Sequence, residues 1–199
     1  MSRVKGLADD ELGDLMDVLG AGAEILGFVP NSQRIMAHKP EVLRGLVQLA
    51  NAIYNPANSL LPPSLKTLIS VASSLAGGCM YCVAHTSSTS GRVGTDEAKI
   101  AAVWEFETSE LFTDAERVAL RFAQAASSVP NMATDADFDE LRKHYGEEEI
   151  VEIVSVISLF GFLNRWNDTM ATDLEDGPVA FAGRALKDTS WDGGKHLEG

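Results

Sequence analysis

Apolar residues along this chain recur at spacings of three and four, the period of a helix with one buried face. Leu12, Leu15, Met16 and Leu19 make a short amphipathic pattern, weakened by Gly13, Gly20, Gly22 and Gly27. After a break at Phe28-Val29-Pro30-Asn31-Ser32, Ser32 is placed to cap a helical turn reaching His38. Pro40 opens a stronger helix with Val42, Leu43, Leu46, Leu49, Ala50 and Ile53 on its stripe, closed by Asn55-Pro56-Ala57-Asn58. Pro62-Pro63-Ser64 starts the next, with Leu65, Leu68, Ile69, Ala72 and Leu75 on one side. Gly77-Gly78 ends it, and a further helix is predicted from Cys79 to about Gly91.

Downstream, Gly94-Thr95-Asp96 caps a helix to about Phe106, and Thr113-Asp114-Ala115-Glu116 has the form of a capping box opening a helix to Ser128. Thr134 caps another to about Tyr145. Glu147, Glu148 and Glu149 suit the positive start of a helix that is apolar on nearly every side, from Ile150 to Leu163, and that is therefore expected to be central. Pro178 begins a last short helix. No stretch alternates polar and apolar residues as a strand would. The pattern predicts an all-α, single-domain helical bundle of roughly nine helices, with residues 1–27 as an N-terminal helical extension, 28–186 as the domain and 187–199 as a polar C-terminal tail.

Composition narrows the function classes. With 199 residues, 45% of them hydrophobic, the chain can bury one sizeable core. A formal charge of −13 opposes phosphate backbones, so no nucleic-acid partner is expected. No apolar run approaches bilayer-spanning length, and the first ten residues lack the apolar stretch of a signal peptide, so a cytoplasmic protein without membrane contact is expected.

Both cysteines lie in Gly77-Gly78-Cys79-Met80-Tyr81-Cys82-Val83-Ala84-His85-Thr86. At i and i+3 their sulfurs stand about 60° apart around a helix, near enough for a disulfide if the turn adjusts. A helix start favours thiolate over thiol, and His85 lies one turn beyond Cys82. These features make Cys82 the candidate nucleophile, Cys79 the resolving partner and His85 a candidate proton carrier. Thiol acidity alone yields little rate, because nucleophilicity falls with pKa; a positioned acid supplies about 10²–10⁴-fold. Other chemistries use the same residue types. Haem attachment would need histidine where Val83 stands. Structural zinc would need a fourth ligand from His38, His144 or a carboxylate. A thioredoxin-type site would need a βαβ setting, and the bland alternative is a pair of packed helix cysteines beside a satisfied histidine.

With those residues stated, the chain resembles the carboxymuconolactone decarboxylase superfamily, and most of all its alkylhydroperoxidase D-like, peroxidase-related branch. The resemblance runs from about Gly27 to Glu175 and rests on Gly27-Phe28-Val29-Pro30-Asn31-Ser32, Leu65–His85, Trp104-Glu105-Phe106-Glu107-Thr108-Ser109 and Leu163-Asn164-Arg165-Trp166-Asn167-Asp168. It implies an oxidoreductase that reduces hydrogen peroxide or alkyl hydroperoxides without metal, flavin or other cofactor, partnered by a dithiol reductant or thiol reductase. It also implies a homo-oligomer, commonly a trimer or hexamer. In such proteins the second cysteine attacks, the first resolves, and a glutamate–histidine relay handles protons, which assigns Cys82 and Cys79 their roles. Two positions depart from the pattern. Thr86 stands where the family has its histidine, with His85 one place earlier, and Thr67 stands where the family has its glutamate. Glu105 and Glu107 are the nearest substitutes for that acid, the alternative being that both are solvated acids at a helix end. Asn164, Arg165, Asn167 and Asp168 are candidates for a pocket lining, an oligomer contact or a structural network, and Tyr81, Trp104 and Trp166 for core or interface. The rival function is a redox-sensing or binding helical oligomer that oxidises once without turnover.

Overall fold

A computed structural model of the chain describes residues 1–197, Ala21 and Ile25 by their backbone. The described residues form α-helices and short 3-10 turns with no strand, in agreement with the all-α expectation. The N-terminal pattern divides at Gly13 into α1 (Asp9–Leu12) and α2 (Leu15–Leu26), which bury Leu12, Leu15 and Leu19 in the main core. α3 (Asn31–Met36) starts just after Pro30, one residue before the expected cap. α4 (Pro40–Tyr54) buries Leu43, Leu46 and Ile53 but leaves Val42 and Leu49 exposed.

α5 (Pro63–Ala76) is the true centre, packed against α6 (Met80–Arg92), α8 (Asp114–Ser127) and α10 (Glu147–Met170). Leu68, Ile69, Val71 and Ala72 are fully buried there, each large side chain contributing about 1.5–3 kcal/mol by leaving water. α5 also buries Thr67, Ser70 and Ser74, whose hydroxyls donate to the carbonyls of Ser64, Lys66 and Ser70. Small hydroxyls that bond back to their own helix travel into a core at little cost. The expectation of a central α10 is thereby corrected. Its inner residues Ile153, Val156 and Leu159 are buried, yet Val151, Val154 and Phe162 face outward. α4, α5, α6 and α8 cover its inner side.

Two predicted helices end early. α7 (Glu97–Ala101) tightens into a 3-10 turn over Ala102–Glu105, and α9 (Asp135–Leu141) stops before Tyr145, whose hydroxyl donates to the Ala115 carbonyl at 2.8 Å. The capping box at Thr113 and Glu116 is present, with both reciprocal bonds made. α11 (Asp176–Ala185) begins two residues ahead of Pro178.

The α5–α6 corner depends on its two glycines. A Cβ at Gly77 would come within 2.7 Å of Asn164 Nδ2, the amide that donates to the Ser73 carbonyl at 3.1 Å. Gly78 has φ 69, a left-handed conformation natural to glycine. This corner delivers Cys79 to the start of α6, inside a second, smaller core formed with Tyr81, Val83, Ala84, Ile100, Leu174, Ala182 and Leu186. Residues 187–197 do not trail away as a polar tail. Trp191 Nε1 donates to the Met80 carbonyl at 3.2 Å, and His196 is buried. Residues 198–199 of that expected tail lie outside the described residues. No described helix is long and apolar enough to cross a membrane.

Candidate active site

Cys79 is the N-cap of α6, and its sulfur accepts the backbone N–H of Cys82 at 3.5 Å. Both cysteines are free and almost wholly buried, at 0% and 3% exposure. Their surroundings push them apart in acidity. The thiol of Cys82 donates to Cys79, which outweighs burial and, with the Cys82 N–H, holds Cys79 below the ordinary cysteine range. Burial pushes Cys82 well above that range, and the proton it shares with Cys79 adds to the rise. Of the two, Cys79 is therefore the more acidic thiol and Cys82 the less acidic one. The sequence alone placed thiolate character on Cys82; the cap geometry gives it to Cys79. Thiolate absorbance should accordingly show one group ionised below the ordinary cysteine range and a second ionising only above it. Cys79→Ala should remove the first transition, and Cys82→Ala should move it upward because the donor is gone. Two coincident transitions at the ordinary position would contradict this.

Cys82 Sγ has a further neighbour: Asn167 Nδ2, from α10, donates to it at 3.4 Å. One turn on, His85 Nε2 meets Glu175 Oε2 at 2.5 Å. Glu175 Oε1 accepts the Tyr81 hydroxyl at 3.0 Å and the Asn31 backbone N–H. The His85 ring stacks on Tyr81, centroids 4.3 Å apart, with Phe28 edge-on at 5.8 Å. Burial alone would raise Glu175, but His85, the Asn31 N–H and its own helix start outweigh it and hold the carboxylate below its usual range. The two side chains are only 14% and 13% exposed, so they form one shielded acid–base unit.

The expected acids are elsewhere. Glu107 is taken by a two-bond fork with Arg121, at 2.6 Å on both oxygens, on the surface. Glu105 is exposed at the end of the 3-10 turn. Neither is the carboxylate on His85, and the relay proposed for them gives way to Glu175. Nothing in the sequence around Glu175 pointed to this role; folding brings it to a histidine 90 residues away. Thr67 and Thr86, at the two departing positions, are held structurally. Thr67 bonds the Ser64 carbonyl and Ser90 Oγ, and Thr86 donates to the Cys82 carbonyl at 2.8 Å.

Of the polar run on α10, Asn164 braces the glycine corner, Arg165 is exposed, and Asp168 pairs with Lys195 at 2.7 Å. Trp104 Nε1 donates to Ser190 Oγ, and Trp166 stacks on Phe162. His38 meets the Lys5 carbonyl on the surface and His144 is exposed, so neither completes a ligand set with the cysteines. No group of three or more metal-binding side chains occurs among the described residues.

Residues 40–125 match the carboxymuconolactone decarboxylase family. Protein YnjA of Escherichia coli K12 is 34% identical over 113 residues, 56% of this chain and 62% of YnjA, so the chain spans less than two thirds of that relative. The debrominase Bmp8, solved with 2,3,4-tribromopyrrole bound to a cysteine-to-alanine variant, is 36% identical with a TM-score of 0.85 across 92% of this chain and 96% of Bmp8. A peroxidase-related protein from Ralstonia eutropha JMP134 with an alkylhydroperoxidase core shares the fold at 22% identity, with a TM-score of 0.76 over 92% of this chain and 97% of that one. The helical architecture, the cysteine pair at a helix start and these matches together place the chain in the carboxymuconolactone decarboxylase superfamily, with the alkylhydroperoxidase D-like fold.

Proposed function

We propose that the chain is a thiol-based oxidoreductase whose Cys79/Cys82 pair passes two electrons to a small electrophilic acceptor, a hydroperoxide in the first reading. The observation that carries it is the arrangement of two free, buried, hydrogen-bonded sulfurs beside a buried His85–Glu175 unit. Cys82 sulfur attacks one peroxide oxygen as its proton passes to Cys79. The O–O bond breaks, the departing alkoxide takes a proton delivered by His85, and Cys82 becomes a sulfenic acid. Cys79 sulfur then displaces hydroxide, which leaves as water with the Cys79 proton, and the disulfide forms. An external dithiol or a thiol-reductase partner reduces it. The capped Cys79 is the better leaving thiolate in that last step, since a low-pKa thiol departs faster. No metal or flavin has a part in the cycle.

A second acceptor is favoured by the likeness to Bmp8 along nearly the whole chain. The same dithiol can reduce an aryl bromide, in the balance dithiol plus Ar–Br giving disulfide, Ar–H, bromide and a proton. The experiment is a single turnover of the reduced protein under anaerobic conditions, with one equivalent of hydrogen peroxide or of a bromopyrrole. Thiol loss with peroxide supports the first reading, and thiol loss with stoichiometric bromide release supports the second. Thiols intact under both would sink the proposal. Self-association belongs to the same reading, supported by the outward Val151, Val154 and Phe162 of α10; a monomer by light scattering would remove it.

A further inference from the structure

The C-terminal segment reaches the sulfur of Cys82 through a file of buried polar groups. His196, 2% exposed, has Nδ1 2.8 Å from the Thr172 carbonyl. Thr172, fully buried, donates its hydroxyl to Asn167 Oδ1 at 3.0 Å. Asn167, 2% exposed, donates Nδ2 to Cys82 Sγ at 3.4 Å.

Each link fixes the next. A carboxamide turned by half a revolution would offer its oxygen to the sulfur, and oxygen against a thiolate repels. In the arrangement present the Thr172 hydroxyl donates to Oδ1, which leaves the N–H side for the sulfur. Thr172 owes its place to the end of α10, where Ala171 turns left-handed at φ 48 and brings the chain back over Asn167. A non-glycine residue there costs of order 1 kcal/mol and persists only where its surroundings hold it. The hold comes from His196 on the Thr172 carbonyl, from the Leu174 N–H on the His196 carbonyl at 2.8 Å, and from Trp191 on the Met80 carbonyl inside the cysteine turn.

We infer that Asn167 is a catalytic hydrogen-bond donor to the Cys82 sulfur, and that Thr172 and the buried His196 are positioning residues that hold its amide in the donating orientation. This rests on the reading of Cys82 as a reacting sulfur. The donor's bond is stronger to a thiolate or sulfenate than to a thiol, so it favours the charged states through which the reaction passes.

The test uses a Cys79→Ala background, in which thiolate absorbance reports Cys82 alone. A hydrogen bond to a charged group carries enough energy for Asn167→Leu to lower the thiolate-to-thiol ratio at fixed pH by roughly 10–100-fold, moving the titration midpoint upward. Thr172→Val should do the same by a smaller factor, and Thr172→Ser should restore the parent value. A merely structural role would lower the melting temperature and leave the midpoint in place. Should Asn167→Leu fail to fold, the isosteric Asn167→Asp keeps the question open to measurement, with an upward shift at least as large. A folded variant of either kind with an unmoved midpoint overturns the inference. Shifted midpoints in a protein whose thiols ignore both peroxide and bromopyrrole would keep the clamp and discard the proposed function.

Discussion

A Cys82→Ser variant is expected to turn over hydroperoxide at least about 10³-fold more slowly than the parent, with a dithiol reductant in excess. Removing a nucleophile leaves only what binding and the remaining polar groups supply. Cys79→Ser is expected to fail differently. Its Cys82 attacks once, and with no second sulfur to close the disulfide it stops as a sulfenic acid that dimedone traps and mass analysis locates. The asymmetry follows from position. Cys79 caps α6 and is the more acidic of the pair, whereas Cys82 lies under Asn167 and one turn before the His85–Glu175 unit. Trapping on Cys79 in the reciprocal variant would exchange the two roles, and equal turnover in both variants and the parent would leave the cysteines without one. A sensing protein would instead oxidise once in the parent form and cease, even with reductant present.

The second large effect concerns stability. Lys66→Met should lower the melting temperature by about 10 °C. The Lys66 side chain is 2% exposed on the central helix, and Nζ donates to Glu152 Oε1 at 2.9 Å and to the Ile53 carbonyl at 2.8 Å. Glu152 in turn accepts Ser59 Oγ and the N–H groups of Leu60 and Leu61, tying the connection before α5 to α10. Breaking one side of a buried ion pair costs about 3–5 kcal/mol, because the other charge is left without compensation. In a chain of this length each kcal/mol moves the melting point by about 2–4 °C. Adding Glu152→Gln to Lys66→Met should recover much of the loss, since a neutral amide still accepts the Leu60 and Leu61 N–H groups.

The pH dependence of this pair has a definite sign. Burial raises Glu152, but the bonds from Lys66, Ser59 and Leu60 outweigh it and hold the carboxylate low. A carboxylate lowered by folding contributes stability above its unfolded pKa, and that contribution disappears as pH falls through the folded value. Acid should thus narrow the gap between the parent and Lys66→Met. A Lys66→Met melting point within a degree or two of the parent at neutral pH would show that the pair stabilises little.

Periodicity and capping residues were enough to find most helices, because each is a local bargain between backbone donors and an apolar face. Thr113 with Glu116, Pro40 at a helix start and the glycines before Cys79 all act within a turn of themselves. Local signals misjudged the middle of the molecule. α5 carries enough serine and threonine to read as one-sided, yet those hydroxyls bond to its own carbonyls and let it sink to the centre. α10 reads as central and keeps an apolar face outward. The proton partner of His85 was sought at Glu105 and Glu107 because they follow the cysteine helix closely. Nothing local distinguishes an acid that will pair with Arg121 from one that will meet an imidazole.

The chain by itself determined that it would be helical, that its only two cysteines would stand one turn apart at a helix start, and that a histidine would follow one turn later. These are consequences of spacing, which a helix converts directly into direction. Tertiary structure decided the burial that pushes Cys82 up, which carboxylate meets the histidine, and that the C-terminal segment reaches Cys82 through Thr172 and Asn167. Acidity and hydrogen bonding depend on burial and on groups about 3 Å away, and here those groups come from helices and turns some 85–90 positions apart in the chain.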